Sequence, residues 1–205
     1  MIIDITPTIS PRLGVWPGDT PSSRKILLDI SKGDNITLST LTATVHLGAH
    51  ADAPSHYGKK GDTIEARDLS LYIGPCQVIR VPADRGTRIG PDGLPPITDE
   101  RVLFYTGTFP DPEDWNEDFA ALSPKLVDFL HGKGVRLVGI DTPSVDLQDS
   151  KDLPAHHAFF RHDMAILEGL VLKDALAGRY ELIAVPLKLE GFDASPVRAV
   201  LRSLQ

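Results

Sequence analysis

Short strand-like apolar runs recur at residues 2–9, 25–30, 36–45, 77–81, 102–106, 136–140 and 180–187. Each predicts a β-strand, because alternate side chains of an extended backbone face opposite sides. Three segments carry helical marks instead: residues 124–131 behind the N-cap candidate Ser123, residues 155–167, and residues 171–177 with Gly178 as a stop signal. The closing stretch SPVRAVLRSL alternates Val197, Ala199 and Leu201 yet also gathers Val197, Val200 and Leu201 on a helical face; the alternation favours a strand. Hairpin-like pieces early and β-α-β character across residues 103–140 predict an α/β fold with a mixed sheet, curled toward a barrel, and short peripheral helices. No glycine-rich nucleotide fingerprint follows a strand, and no internal repeat interrupts the pattern.

One stretch departs from ordinary core patterning. In HLGAHADAPSH, His46, Gly48, His50, Asp52, Pro54 and His56 share one parity, and Leu47, Ala49, Ala51 and Ala53 share the other. An extended backbone would separate a ligand face from a packing face. A straight strand rising about 3.3 Å per residue would leave His46 and Asp52 roughly 20 Å apart, too far to share an ion, so the segment must curl. Gly48 and Pro54 favour a looped path over a helix. A lone histidine here would be a strand cap; three with an aspartate in eleven residues predict a metal site.

The chain has 205 residues, enough for one sizeable core, and nothing linker-like divides it, so a single domain over residues 1–205 is expected. A net charge of −7 and the absence of a basic stripe argue against a nucleic-acid or acidic-membrane partner and point to a small molecule. The N-terminal MIIDITPTIS lacks a basic region and a cleavage site, and no apolar run reaches spanning length, so a cytoplasmic location is expected. The single cysteine, Cys76, lies in the strand-like GPCQVIRVP and is expected to be a core thiol.

Two further regions hold polar or aromatic groups without an obvious structural task. VWPGDTP sets Trp16 on a stiff Pro-Gly loop, where it either covers a core edge or stacks on a ligand ring. Residues 141–169, after the strand-like RLVGI, contain His156, His157, His162 and Glu168, any of which can complete a metal shell begun at His46. Asp141, Asp146, Asp149, Lys151 and Asp152 are expected to be turn formers, caps and surface ion pairs. His131, before Gly132, is expected to cap a helix end.

WPGDTP, HLGAHADAPSHY, VGIDTPSVDLQDSK, LEGLVL and PLKLEGFDASPVRAVLR together resemble the bacterial kynurenine formamidases, arylformamidases of the cyclase family. The histidine segment marks the superfamily; the WPGDT and DSK segments point to the formamidase branch. The resemblance implies a swivelling β/β/α fold and metal bound by His46, His50, Asp52, His156 and Glu168. It further implies that Asp52 and Glu168 bridge two ions, that His56 is the catalytic histidine, that Trp16 touches substrate, and that the protein is a homodimer. A mixed N/O ligand set without thiolate suits two zinc ions, with manganese as the alternative. His157 and His162 stay outside this set.

The implied reaction is hydrolysis of N-formyl-L-kynurenine to L-kynurenine and formate in tryptophan degradation. From the residues alone His56 can move a proton, ligate metal or orient a ligand, since it stands four positions beyond Asp52. Three other functions compete: an isatin-hydrolase-like amide or lactam hydrolase of the same superfamily, an iron oxidoreductase, and a binding module with a structural metal. No redox cosubstrate motif accompanies the second, and a carboxylate-rich set disfavours the third.

Overall fold

The computed structural model describes residues 1–204. In chain order its strands and α-helices are β1 (Ile2–Asp4), β2 (Ser23–Leu28), β3 (Leu38–Thr42), β4 (His50–Asp52), α1 (Pro54–Tyr57), β5 (Ile73–Arg80), β6 (Arg88–Ile89), β7 (Arg101–Tyr105), β8 (Ala121–Leu122), α2 (Pro124–Gly132), β9 (Leu137–Ile140), α3 (Pro154–His162), β10 (Ala165–Glu168), β11 (Gly178–Ile183), β12 (Ala194–Pro196) and β13 (Val200–Ser203). Nine strands form one curled sheet in the order β1-β13-β11-β5-β7-β9-β10-β4-β12. Its centre, β5-β7-β9-β10, is parallel, and its flanks are antiparallel. This is the expected mixed, half-barrel sheet with few short helices.

The centre strands β7, β9 and β10 are apolar runs buried on both faces, as parallel strands must be. Their period of two splits the core into two layers. Leu103, Leu137 and Leu167 join Ala49, Ala51, Ala53 and Tyr72 on one face. Val102, Phe104, Val138, Ile140 and Ile166 meet α2 and α3 residues such as Leu126, Leu130 and Phe159 on the other. Ser123 caps α2 as expected, its Oγ accepting the Leu126 N–H at 3.1 Å, with Pro124 supplying the preset φ of a first helical turn.

Three predicted elements change. The helix expected over residues 155–167 ends at His162, where Asp163 turns left-handed (φ 48°), and Ala165–Glu168 is instead the parallel strand β10. Apolar runs this short suit a buried strand or a helix equally by periodicity, and pairing with β9 and β4 decides it. Residues 171–177 form no helix, and Gly178 opens β11 rather than stopping a helix. The first strand covers only Ile2–Asp4 of residues 2–9 because Pro7 cannot donate to a ladder. The ambiguous C-terminal stretch is extended, as β12 and β13.

β2 and β3 form a separate two-stranded hairpin in which every residue except Leu28 is exposed. Among the described residues no helix is long and apolar enough to cross a membrane.

Candidate metal and active site

The histidine segment curls as its spacing demands. Gly48 adopts a left-handed φ of 56°, and β4 then runs antiparallel to β10 with His50 opposite Glu168 and Asp52 opposite Ile166. Leu47, Ala49, Ala51 and Ala53 are buried, while His50 and Asp52 face away from Ala51, on the side where α3 brings His156. The parity seen in the sequence therefore separates ligand-type side chains from packing ones. Gly169 follows Glu168 with φ 65°, and its Cα lies so close to Gly48 that a Cβ there would fall 2.2 Å from the Gly48 carbonyl oxygen. Glycine at 169 lets the two segments touch, while at 48 it takes the left-handed turn and leaves room for the Pro7 ring, 2.8 Å from where a Cβ would lie.

Four side chains converge beside this contact. His50 Nε2 lies 3.5 Å from Asp52 Oδ1 and 3.3 Å from Glu168 Oε2, and His156 Nε2 lies 3.5 Å from Asp52 Oδ2 and 3.6 Å from Glu168 Oε1. His46 Nδ1 approaches Asp52 Oδ1 at 3.2 Å. The rings are aimed from behind: His50 Nδ1 is 2.8 Å from the Gly48 carbonyl oxygen, and His156 Nδ1 is 2.8 Å from Asp146 Oδ2. Donation from each Nδ1–H leaves the Nε2 lone pair facing the cluster. Glu168 Oε1 also accepts the Val145 N–H at 2.7 Å.

The arrangement fits a cation. Asp52 is buried, and neither of its oxygens has a hydrogen-bond donor of acceptable geometry; His50 Nε2 is likewise buried without a partner. Buried polar atoms rarely go unpaired, and a cation between them would satisfy all three. A tetrahedral ion with bonds of about 2.0–2.2 Å has ligand-to-ligand edges of roughly 3.3–3.6 Å, the spacing found between these nitrogens and oxygens. Two groups of potential ligands share Asp52: His50, Asp52 and Glu168, and His46, Asp52 and His56.

The electrostatics agree. Burial opposes charge on Asp52, yet His156 and His46 beside it hold its carboxyl well below the usual range. Burial likewise opposes protonation of His46 and His156; the carboxylates overcome it and raise them to about 9 and about 10. For His46 these are chiefly Asp52 and Asp193, and for His156 Asp146 and Asp52. The pocket stabilises positive charge.

The cluster opens into a cavity of about 450 Å³ at the carboxyl ends of the parallel strands. Trp16 lines it with Phe109 and Trp115, and Trp16 meets Trp115 edge to face at 5.7 Å. Trp115 is fixed by donation of its Nε1–H to Gln148 Oε1 at 2.9 Å. His56, on α1, also lines the cavity, its ring centroid 4.3 Å from that of His46. Among the described residues no lysine or arginine lines this cavity.

All seven residues singled out in the sequence, His46, His50, Asp52, His56, His156, Glu168 and Trp16, thus lie at one place. His157 is exposed, and His162 pairs with Asp128 at 2.7 Å and stacks on His131, so both stay outside. Cys76 is buried, and burial pushes its thiol up to about 12.

Asp146 corrects an expectation in part. It caps α3 as expected, accepting the Ala155 and His156 N–H at 3.2 and 3.0 Å, but it is fully buried, and its ion pair with Arg88 Nη1 at 2.6 Å is not a surface one. Asp193 had no signal in spacing, since its partners His46 and His56 lie far along the chain, and Phe109 and Trp115 pack on each other within one loop but reach the cavity only through the distant Trp16.

A curled mixed sheet with a buried His/Asp/Glu cluster fit to hold a divalent cation is the class of protein that this fold and site define. The chain belongs to the Cyclase family: the family model described as "Putative cyclase" matches residues 3–147. A solved structure described as a potential metal-dependent hydrolase with cyclase activity is 30% identical, with a TM-score of 0.84, covering 98% of this chain and 96% of the other. A predicted metal-dependent hydrolase from Bacillus stearothermophilus is 28% identical (TM-score 0.78, 98% and 97% covered). Isatin hydrolase A from Labrenzia aggregata shares the fold at 23% identity (TM-score 0.85, 100% and 94% covered).

Proposed function

We propose that this chain is an arylformamidase that hydrolyses N-formyl-L-kynurenine to L-kynurenine and formate, as a step of tryptophan degradation. The observation that carries the proposal is an aromatic-walled cavity, Trp16 and Trp115 among its lining, opening onto the buried imidazole–carboxylate cluster. The whole chain acts as one hydrolase domain.

In this reading His46, His50, Asp52, His156 and Glu168 would hold two divalent cations, zinc first and manganese as the alternative. When bound, such ions supply Lewis acidity and lower the pKa of water from 15.7 toward about 7. The residues of the chain do the rest. Trp16 and Trp115 flank the aryl ring and keep bulk water from it. His56 accepts a proton as water adds to the formyl carbon and returns one to the aryl nitrogen as the C–N bond breaks, so that amine and formic acid leave and the acid gives up its proton to solvent as formate.

The test is formate release from N-formylkynurenine together with elemental analysis. Wild type is expected to hold two metal equivalents and turn over; His46→Ala loses metal and activity; His56→Ala keeps metal and loses roughly 100- to 10,000-fold in rate. Metal-loaded wild type that releases no formate overturns the proposal. The likeness in fold to isatin hydrolase A favours one second reading, opening of a fused lactam ring, which consumes isatin without formate.

A homodimer belongs to the same proposal. The β2–β3 hairpin carries Ile26, Leu27, Leu38 and Leu41 at 45–63% exposure. An isolated two-stranded hairpin is marginal in water, and a second copy would cover it.

A further inference from the structure

We propose that Asp193 is a positioning residue that fixes the ring of His56, an inference that rests on the proton-transfer role given to His56 above. Asp193 Oδ2 lies 3.2 Å from His56 Nδ1 and 3.0 Å from His46 Nε2, so a single carboxylate oxygen ties together the two rings at the cavity mouth. The main chain that carries it is anchored. The Asp193 carbonyl accepts the Ala53 N–H at 2.8 Å, and Ala194 pairs with Asp52 at the start of the β12–β4 ladder.

His56 needs such an anchor. It sits on α1, a helix of four residues whose first turn has no side-chain cap and which gives way to extended backbone at Gly58. One turn of helix contributes little rigidity of its own. The imidazole is part-exposed, with neighbouring rings at 4.3 Å (His46) and 6.1 Å (Tyr57) that restrict but do not fix its rotation. A hydrogen bond from Nδ1–H to Asp193 selects one tautomer and one orientation, leaving the Nε2 lone pair as the atom that exchanges protons with substrate. An acceptor behind the working imidazole does the same in the Ser-His-Asp triad. An ordinary surface ion pair would not join two site histidines through one oxygen.

The experiment uses the full chain reconstituted with zinc, in wild type, Asp193→Asn, Asp193→Ala, His56→Ala and the double variant Asp193→Ala/His56→Ala. Steady-state kinetics are measured on N-formylkynurenine and on isatin, with metal content and ¹⁵N spectra of the histidine rings. At saturating zinc, Asp193→Ala is expected to lower kcat about 10- to 100-fold with KM unchanged. Asp193→Asn, which keeps an acceptor oxygen, should recover part of the loss, and Asp193→Ala should cost nothing further once His56 is alanine. The His56 ring should carry its proton on Nδ1 in wild type and redistribute it in Asp193→Ala. Restoration of rate by excess zinc would assign Asp193 to His46 instead, and multiplicative losses in the double variant or an unchanged tautomer would overturn the proposal. The ring spectra need no turnover, so wild type inactive on both substrates would sink the arylformamidase reading while the role of Asp193 was still decided.

Discussion

Gly169→Ala is the most direct perturbation of the junction on which the site depends. Gly169 has φ 65°, and an added Cβ would lie 2.2 Å from the Gly48 oxygen and 2.7 Å from the Gly48 carbon, both backbone atoms. That oxygen also receives the His50 Nδ1–H. Left-handed backbone costs an alanine about 1–2 kcal/mol, overpacking adds about 1–3, and the stiffer unfolded chain returns about 0.4–1, leaving a net loss of about 2–4 kcal/mol. Gly86 supplies the control: its φ is 68°, and nothing lies within 4 Å of its Cβ direction. Gly86→Ala therefore carries the backbone strain alone, about 1 kcal/mol net. Relieving the Gly48 collision requires a shift of about 1 Å, enough to cost on the order of 100-fold in function through misplaced groups. Urea unfolding of the metal-free variants, followed by zinc titration against a competing chelator, reads both effects. If Gly169→Ala matched Gly86→Ala in stability and bound zinc like wild type, close approach of Gly48 and Gly169 would not be what assembles the site.

Three further outcomes are expected. Asp146→Ala frees the His156 ring and should weaken zinc binding 10- to 100-fold in chelator competition, whereas an unchanged affinity would make Asp146 a packing residue only. Asp99 is held below the usual carboxylate range by the two-pronged contact from Arg179, so its stabilisation is full above that range and fades as pH falls through its depressed value. Arg179→Ala should therefore lower the urea midpoint at pH 7 and converge with wild type in strong acid; a constant difference at every pH argues against the pairing. Leu41→Asp on the exposed hairpin should shift a dimer to monomer in light scattering, and a wild type already monomeric removes the dimer from the proposed function.

Much of this was legible in the chain because the information is local. His46, His50 and Asp52 announce themselves by parity within one segment, and the alanines between them pack as that parity requires. Residues 102–106 and 136–140 show as strands because a buried parallel strand is an uninterrupted apolar run. The helix expected through residue 167 failed where a tertiary contact overrides a local pattern: AILE is extended because β9 and β4 flank it. Asp146 resembles any loop aspartate until α3 places His156 against it. The closing motif of the chain contains Asp193, but the role proposed for it depends on a contact with His56 spanning 137 positions, which no periodicity encodes.

The closure of β4 by β12 bears on how the protein is made. During synthesis His46 leaves the ribosome long before Asp193, and at about 5–20 residues per second the interval is roughly 7–30 s. Throughout that wait the outer edge of β4 lacks β12, and Glu168, 25 positions before Asp193, is made only near its end. Assembly of the centre therefore comes late, since the cluster is complete only once β10 has delivered Glu168 and β12 has closed on β4.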